Sequence, residues 1–471
     1  MKKKNIVRIH LCSIVCFLIL TLYSLSTYGG EKNRYCGEEA FKKEIQAVVS
    51  KGTFARRRTG RTYYVAVNGK NSGKGTKKHP YRTIAYAVSK LKKGDTLYIR
   101  GGTYREQIRI PAKISGKKNA YIMIAGVPGE KVWLSGKGKT SPTLMEVCGS
   151  SYLVIQNIGM KAAHGQDACG INVRPGSHHI VILDNTIQDI RVKNPQRPDH
   201  CCNAVLLYGD SATKEIHDVL LYGNRIHDCT TGWAECISVT GNVRNVNIIG
   251  NTIRRTGNIG IDLSGNYGYC SDPAKDFPRE CYVAKNQVSE CHSPVATAYG
   301  IYADGARNVT IYRNTVKKCD GGIEAGAEQK PKKDIYATKN ITIEQNTILD
   351  NVENAITVGG YQTDLGWVKT VKIRHNICRE NGRENAILTL AKCDGVEITD
   401  NVFYNSKGSS AIVYAEFSNK YTKNIVFRRN SYYNGHAKNK TNFVYQGRTY
   451  TKFEQWKKTV GKAAGQYRKV N

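Results

Sequence analysis

The sequence lacks the short cysteine and histidine spacings that typically hold a structural zinc ion. It contains 15 Cys and 11 His, yet no Cys-x-x-Cys pair and no Cys/His cluster at zinc-ligand spacing. The adjacent pair His178 and His179 lies in a predicted turn, where we expect a structural role. The sequence therefore predicts no metal site built on cysteine or histidine.

The number of cysteines does not allow all of them to form disulfides within the chain. Thirteen of them follow the first 30 residues, which is an odd number. Export from the cell would permit disulfides, and Cys270 and Cys281 bracket an insertion that a bridge could close. Cysteine also serves as a small buried residue, so we expect few bridges.

Acidic residues are scarce relative to basic ones. The chain has 38 Asp and Glu against 71 Lys and Arg, a formal net charge of +33, of which the first 30 residues supply +4 and leave +29. A field of this sign concentrates anionic partners such as an acidic polysaccharide or an anionic surface. Solubility in a saline or acidic niche is the alternative. No nucleic-acid-binding motif accompanies the charge, so nucleic acid is not an expected partner.

The N-terminus has no apolar run as long as a membrane span. A basic start, MKKKNIVRIH, precedes an apolar run of 15 residues and the small polar stretch STYGG. This pattern predicts a signal peptide over residues 1–30, because a span needs about 20 apolar residues. An uncleaved anchor is the alternative. We expect a secreted protein, extracellular or periplasmic, without stable membrane association after cleavage.

Most of the chain lacks helical periodicity and repeats short alternating strands instead. An asparagine closes each repeat at intervals of 25 to 39 residues: Asn157, Asn185, Asn224, Asn251, Asn286, Asn314, Asn346, Asn376, Asn401 and Asn430. A period of this size marks a solenoid, and the alternation makes it β rather than α. The sequence predicts an all-β fold, a right-handed single-stranded parallel β-helix of about a dozen coils with an asparagine ladder.

The solenoid should form one elongated domain, and we expect a monomer. Helical spacing within residues 31–61 predicts an N-terminal capping segment. The coils should occupy 62–430, and residues 431–471 should form a C-terminal cap. Within the first coils, TIAYAVSKLKKGD predicts an amphipathic helix that ends near Gly94.

Two motifs in the first coils carry a family resemblance. GTKKHPYRTI and GDTLYIRGGTY resemble the opening of secreted β-helix proteins of the pectate-lyase-like superfamily, which includes lyases for pectin, alginate and dermatan sulfate. The resemblance implies this fold and an activity on polysaccharide, without fixing the reaction. The double-Asp calcium motif of family-nine pectate lyases, the polygalacturonase motifs and the Asp-Pro-His-Asp motif of alginate epimerases are absent.

The second strand of successive coils aligns into a column of outward positions. The coils read GINVRPG, AVLLYGD, CISVTGN, GIDLSGN, GIYADGA, GIEAGAE and AITVGGY, which places in the column Asn172, Leu206, Ser238, Asp262, Tyr302, Glu324 and Thr357. Residues two apart share a face, so Asp304 points the same way as Asp262 and Glu324. If the isoleucines point inward, the three carboxylates share one exposed face, with Asp262 and Glu324 roughly 9.6 Å apart at Cα.

Crowded carboxylates suit acid and base catalysis. A separation of about 6.5–9.5 Å fits inverting glycoside hydrolysis, and crowding drives the pKa values of such carboxyls apart. We predict Asp262, Asp304 and Glu324 as the catalytic residues. A solvated surface column and a calcium site are the alternatives; no cofactor is favoured, although calcium would suit these oxygens.

The residues around this column carry a second resemblance. The run GIDLSGN, YGIYADGARNVTIYRNTV and DGGIEAGAEQ resembles a stretch found in many secreted bacterial β-helix proteins, which implies site roles for the three acids and for Tyr302 and Glu328. We assign substrate binding to Tyr302, Glu235, Tyr267, Glu328 and Arg307. Tyr267 lies in a long loop beside the column, and Glu235 directly precedes a coil strand.

Three function classes follow from these features. The leading hypothesis is a secreted enzyme that hydrolyses glycosidic bonds of an acidic glycan. A calcium-dependent polysaccharide lyase, in which Lys or Arg removes the C5 proton of a uronate, is the second, together with a uronan epimerase. A non-catalytic surface protein that binds anionic glycan is the third.

Overall fold

The computed structural model describes residues 34–52, 54, 60–360, 362–415, 420–435 and 442–468. The signal peptide predicted over 1–30 lies outside these residues. The chain divides into two compact units, Met1–Ala55 and Arg56–Asn471. The first contains the helix Glu39–Lys51, which ends at Gly52 in the left-handed region and confirms the helical spacing seen in the sequence. No described helix is long and apolar enough to cross a membrane.

The second unit winds through three sheets of 13 strands each. Sheet 1 contains Thr62–Val65, Thr96–Ile99, Ile122–Gly126, Ser151–Gln156, His178–Leu183, Ile216–Tyr222, Val243–Ile249, Arg279–Ala284, Arg307–Tyr312, Tyr336–Glu344, Trp367–Arg374, Cys393–Thr399 and Thr422–Arg428. Sheet 2 contains Ile108–Pro111, Thr143–Cys148, Cys169–Arg174, Asn203–Gly209, Ile237–Gly241, Ile261–Ser264, Tyr299–Asp304, Gly321–Gly326, Asn354–Gly359, Ala386–Leu390, Ala411–Ala415, Phe443–Tyr445 and Arg448–Tyr450. Sheet 3 contains Gly102–Tyr104, Val132–Ser135, Gly159–His164, Thr186–Arg191, Arg225–Cys229, Thr252–Thr256, Gln287–Cys291, Thr315–Lys317, Thr347–Leu349, Ile377–Arg379, Val402–Asn405, Asn430–Asn434 and Gly465–Tyr467.

Apart from the last strand of sheet 2, the strands pair in parallel with their counterparts in the next coil, which confirms the parallel β-helix. The last strand of sheet 2, Arg448–Tyr450, is antiparallel to Phe443–Tyr445. The sheets continue beyond residue 430, because Phe443–Tyr445 and Gly465–Tyr467 extend sheets 2 and 3. The segment assigned as a cap therefore contains coil strands as well as the helix Phe453–Val460 and the 3₁₀ turn Lys462–Ala464.

The helix in the first coils is shorter than predicted. It spans Ile84–Val88, whereas the sequence predicted a helix as far as Gly94. The backbone N–H groups of Lys90 and Leu91 bond to carbonyls three residues earlier, at 3.1 Å each. This tighter turn ends the α-helix and leads into the strand Thr96–Ile99.

The interior is a continuous stack of aliphatic side chains. Ile237, Ile261, Ile301, Ile323 and Ile356 follow one another through paired strands of sheet 2, and each is 0% exposed. No disulfide joins any two of the 13 described cysteines, and ten of them are buried. The bridge suggested between Cys270 and Cys281 was therefore wrong, and most thiols serve as small interior residues.

An asparagine ladder joins the coils at one corner. Its members are Asn185, Asn224, Asn251, Asn286, Asn314, Asn346, Asn376, Asn401 and Asn430, all at most 1% exposed. Each of the first eight donates its side-chain N–H to the next amide oxygen at 2.9–3.1 Å. Asn157 was wrongly included: it has φ 54°, and the ladder position of its coil is Ile158, whose N–H donates to Asn185.

Replacing Asn286 with alanine is expected to lower the free energy of unfolding by about 3 kcal/mol. The change removes the donor to the Ile248 carbonyl and the acceptor for the Asn251 backbone N–H, both 2.9 Å away. These buried groups would lose their partners, which costs more than losing a solvated bond. Urea denaturation measures the effect, and Gln287→Ala, an exposed amide one residue later, is the control. A loss as small as the control's would contradict a stabilising ladder.

Candidate active site

The predicted column forms with the predicted register. Its seven members pair one after another along sheet 2: Asn172, Leu206, Ser238, Asp262, Tyr302, Glu324 and Thr357. Asp304 lies two residues beyond Tyr302, opposite Ser264 and Gly326. Because the isoleucines of these strands fill the interior, the column faces away from it.

The three predicted catalytic acids are not exposed, however. Asp262, Asp304 and Glu324 are 3%, 1% and 7% exposed, and the insertion after Ile261–Ser264 contacts this part of the column at Asp304. The hydroxyl oxygen of Tyr267, from that insertion, lies 2.5 Å from Asp304 Oδ2. Asp276 holds the insertion in shape by accepting the backbone N–H groups of Gly268 and Cys270 at 2.6 and 2.9 Å. The open acidic face expected from the sequence is therefore a covered carboxyl cluster.

Tyr302 is also covered. It is 3% exposed and packs with Ile259 and Tyr299 in a small cluster of its own. Its hydroxyl and the Glu324 carboxyl both lie over Gly326, where a Cβ atom would come within 2.5 and 2.7 Å of them. Glycine at 326 is thus what allows the two side chains to approach each other.

An open cleft of about 570 Å³ lies beside the covered cluster, over the earlier half of the column. The side chains that line it are Asp167, Cys169, Asn172, Arg174, Cys201, Asn203, Leu206, Tyr208, Trp233, Ala234, Glu235, Ser238, Thr240, Ser264, Tyr267, Tyr269 and Glu328. Three of the predicted site residues, Glu235, Tyr267 and Glu328, meet in this cleft. The other five predicted residues, Asp262, Asp304, Glu324, Tyr302 and Arg307, are not among those that line it.

Arg307 is engaged elsewhere. Its guanidinium lies 4.0 Å from the centre of the Phe277 ring and 3.9 Å from the Asp334 carboxylate. Both partners lie outside the cleft lining. The structure thus gives Arg307 a place beside the insertion rather than in the cleft.

Aromatic rings form one wall of the cleft. The rings of Tyr267 and Tyr269 stack at 5.9 Å, and Tyr208 meets Tyr269 edge-on at 5.4 Å. Trp233 and Tyr269 are 40% and 43% exposed, although large apolar surfaces are usually covered. Flat rings left open in a cleft with convergent polar groups are typical of a ligand site.

Tyr267 connects the cleft to the buried cluster. Its hydroxyl oxygen lies 2.5 Å from Asp304 Oδ2 and 2.9 Å from Glu328 Oε2, and the Glu328 backbone N–H donates to Asp304 Oδ1 at 2.9 Å. A phenol has one proton to donate. Both contacts are hydrogen bonds only if one of the two carboxyls is protonated, so the three groups form a chain that holds an extra proton.

Burial sets the protonation of these acids. It raises the pKa of Asp304 to about 8, with the charge of Glu328 adding to the effect. Burial likewise raises the pKa of Glu235 to about 7, and the charge of Glu328 contributes. Desolvation holds the pKa of Asp262 and of Glu324 well above the usual carboxyl range. Near neutral pH the cluster therefore contains both neutral and ionised carboxyls.

Sequence analysis missed several residues that line the cleft. The rule that strand residues two apart share a face could have identified them. Arg174 and Tyr208 lie two residues beyond Asn172 and Leu206, as Asp304 lies two beyond Tyr302. The Arg174 guanidinium lies 4.8 Å from the centre of the Tyr208 ring and bonds to Asp210 at 2.7 Å. The rule had been applied to the acidic coils alone, whereas the open cleft lies over the coils before them.

Raised carboxyl pKa values predict a protein that loses stability with rising pH. A carboxyl near 4 in the unfolded chain and at about 7 or about 8 when folded contributes stability that is complete below about pH 4 and is lost as the pH rises through the folded values. Thermal unfolding of the wild type and of Asp304→Asn at about pH 5 and about pH 9 measures this.

The unfolding temperature should fall further in the wild type than in Asp304→Asn between about pH 5 and about pH 9. Repulsion among basic groups acts on both proteins equally, so their difference isolates Asp304. Asp400→Asn is the control, since Arg429 lowers the pKa of that carboxyl. Equal losses in the wild type and Asp304→Asn would mean that Asp304 titrates normally.

Comparison with known proteins identifies the family of this β-helix. The description "Pel9A-like, right handed beta helix region" matches residues 63–197, and "Right handed beta helix region" matches 148–330 and 277–403, more than half of the chain together. The uncharacterized protein YwoF of Bacillus subtilis is 30% identical over 339 residues, covering 69% of each chain. Pectate lyase PEL9 of Emericella nidulans is 34% identical over 74 residues, 16% of this chain and 18% of that one.

Two solved structures share the fold at low sequence identity. The periplasmic alginate epimerase AlgG superposes with a TM-score of 0.52 and 12% identity, covering 77% of this chain and 80% of that one. The GH136 lacto-N-biosidase from Eubacterium ramulus superposes with a TM-score of 0.50 and 13% identity, covering 82% and 68%. At this identity the likeness concerns the β-helix alone.

Proposed function

This chain belongs to the right-handed β-helix family, and from that premise we propose that it is a carbohydrate-active enzyme that hydrolyses glycosidic bonds, with Glu235 and Glu328 as its catalytic carboxyls. One observation carries the proposal. Two half-buried carboxyls line one cleft together with four aromatic rings, and burial brings the pKa of Glu235 to about 7. Glycoside hydrolysis requires such a pair, one protonated and one ionised.

Glu235 is the general acid in this proposal. Its pKa of about 7 keeps a large fraction protonated at neutral pH while leaving the proton easy to transfer. The proton passes to the glycosidic oxygen as the bond from that oxygen to the anomeric carbon breaks. The ionised Glu235 that remains is stabilised by its interaction with Ser238.

Glu328 is the ionised partner. Because burial raises the pKa of Asp304 to about 8, Asp304 holds the proton of the chain near neutral pH, and the Tyr267 hydroxyl donates to the Glu328 carboxylate at 2.9 Å. The Glu328 carboxylate then either takes a proton from the attacking water or attacks the anomeric carbon itself. The anomer released first distinguishes inversion from retention, and proton NMR of the product reads it directly.

The charge of the cleft favours a sugar without a carboxylate at the cleaved bond. Among the described residues that line the cleft, Arg174 is the one basic side chain, and Asp210 pairs with it at 2.7 Å. Asp167, Glu235 and Glu328 are acidic, so a uronate here would be repelled. We propose that the large basic excess of the chain acts outside the cleft, on an anionic glycan or surface, and that the enzyme works outside the cell.

A lyase is the second candidate, and the similarity to pectate lyase PEL9 over 74 residues favours it. β-Elimination at a uronate needs a base and a cation that holds the carboxylate. Within the described part of the chain, no three carboxyl groups bring their oxygens within 4.8 Å of one another. The one arginine among the described residues that line the cleft is paired with Asp210.

A panel of neutral and acidic polysaccharides, tested with and without EDTA, separates these candidates. Hydrolysis releases reducing ends without ultraviolet absorbance, whereas elimination also creates an unsaturated uronide that absorbs. Reducing ends from a neutral glycan that persist in EDTA would support the proposal. Absorbance that EDTA removes would replace it with the lyase, and saturable binding without turnover on any glycan would select a binding protein.

A further inference from the structure

A second cluster of functional side chains lies on sheet 1, and none of its members lines the cleft. We propose that His179, His217 and Asp218 form a binding site for a divalent transition-metal ion that joins two neighbouring coils. The three residues offer two imidazole nitrogens and one carboxylate oxygen, all within 4.8 Å of one another. This site is independent of the proposed hydrolysis.

The backbone explains why neighbouring residues meet here. Side chains at adjacent strand positions normally point to opposite faces. His179 and Asp218 have φ angles of 54° and 53°, in the left-handed region. Neither residue takes part in the strand pairing: His178 pairs with His217, and the next pair is Ile180 with Val219. This local bend turns the side chains of His217 and Asp218 to the same side, facing His179 of the preceding coil.

The distances suit a small coordination sphere. His217 Nδ1 lies 2.7 Å and His179 Nδ1 4.0 Å from Asp218 Oδ2. Ligands of a tetrahedral ion with bonds of about 2.0–2.1 Å are about 3.3 Å apart, so shifts below an ångström bring the donors into place. His178 Nδ1, 2.9 Å from His179 Nδ1, lies close enough to supply a fourth ligand after a small rotation.

Contacts around the cluster orient the donors in advance. Asn245 donates to the other oxygen of Asp218 at 3.2 Å, and the Tyr152 ring stacks on His179 at 4.3 Å. Such outer contacts are a regular feature of metal sites. Asp218 is 1% exposed and His179 6%, whereas the His217 side chain is 24% exposed, which leaves a path from solvent.

The donor set selects the metal class. Imidazole suits Zn²⁺, Co²⁺, Ni²⁺ and Cu²⁺, whereas Ca²⁺ and Mg²⁺ prefer oxygen ligands alone. Because the ligands come from two coils, an ion that binds the folded chain and not the unfolded one stabilises the stack by mass action. The site is thus a metal cross-link between coils that holds the solenoid together without disulfides.

The chain provides a matched control pair. His227 Nδ1 lies 2.7 Å from Asp228 Oδ2, the same contact as between His217 and Asp218, and Asp228 also has a positive φ of 58°. There the partner from the next coil is Arg255 rather than a histidine. His227→Gln therefore shows the effect of disrupting an adjacent His–Asp pair that has no second histidine, whereas His217→Gln disrupts the complete cluster.

Titrating metal-stripped full-length protein with Co²⁺ tests the site. The wild type should gain visible absorption bands that saturate at one equivalent, and Zn²⁺ should displace them and raise the unfolding temperature. His217→Gln should abolish both effects, Asn245→Ala should weaken binding about 10-fold, and His227→Gln should change neither. No cobalt bands in the wild type, or unchanged bands in His217→Gln, would overturn the proposal.

One measurement keeps the test decisive even if His217→Gln fails to fold. X-ray absorption of the Zn²⁺-loaded wild type should show scattering from at least two imidazole rings at the distance expected for direct ligands. Scattering from one ring, or from none, would reject the site.

Discussion

Replacing Glu328 with glutamine is expected to lower kcat by about 10³-fold on the best substrate of the panel. The amide preserves the shape of the side chain and still accepts a hydrogen bond from Tyr267 at Oε1, but it cannot take a proton from water or bond to the anomeric carbon. Initial rates of reducing-end release over a range of substrate concentrations measure the loss. KM should change little, because the aromatic wall is intact.

Two controls separate chemistry from folding in this prediction. Glu397→Gln removes an exposed carboxylate from sheet 1 and should leave kcat within twofold of the wild type. In Glu328→Ala, added azide or formate should restore part of the turnover by occupying the vacated carboxylate position. A Glu328→Gln enzyme with wild-type kcat would remove Glu328 from the reaction.

Much of the fold could be read from the sequence because a solenoid repeats the same physical problem in each coil. Every coil must fill one interior, so small and aliphatic residues recur at fixed positions, and the column from Asn172 to Thr357 forms with the predicted register. The ladder was predicted correctly except at Asn157. There the residue at the ladder position is Ile158, and only the backbone conformation shows the shift by one.

The site was harder to predict because loops, which do not repeat, decide which part of the column is open. The column was correct, but Asp262 and Asp304 are buried where the insertion that carries Tyr267 contacts the column, and the open cleft lies over the coils before them. Alternation says that a side chain leaves the interior, not whether another segment lies on top of it. Glu235 was named as a binding residue from its place just before a coil strand, and Glu328 from the family resemblance. Both lie outside the strands, where periodicity gives no side-chain direction.

The histidine cluster could not be predicted either, in this case because of its backbone conformation. Ligand spacing in sequence gave no sign of it, since His217 and Asp218 are adjacent to each other and follow His179 by 38 and 39 residues. Two residues in the left-handed region break the alternation that sequence reading assumes. Sites built at such bends become visible only when the φ angles are known.

Replacing Glu235 with glutamine is expected to lower kcat/KM by about 10²–10³-fold on a natural glycan, yet to have a much smaller effect on an aryl glycoside whose leaving group needs no proton. The reason is that an acid assists only the departure of a poor leaving group. Because the pKa of Glu235 is about 7, wild-type kcat/KM should fall as the pH rises through that value, when the acid loses its proton. This alkaline limb should vanish in Glu235→Gln. Rates on both substrates across the pH range measure the effect, and each substrate serves as the control for the other. An equal loss on both substrates, with the alkaline limb retained, would assign Glu235 to binding and require another acid in the cleft.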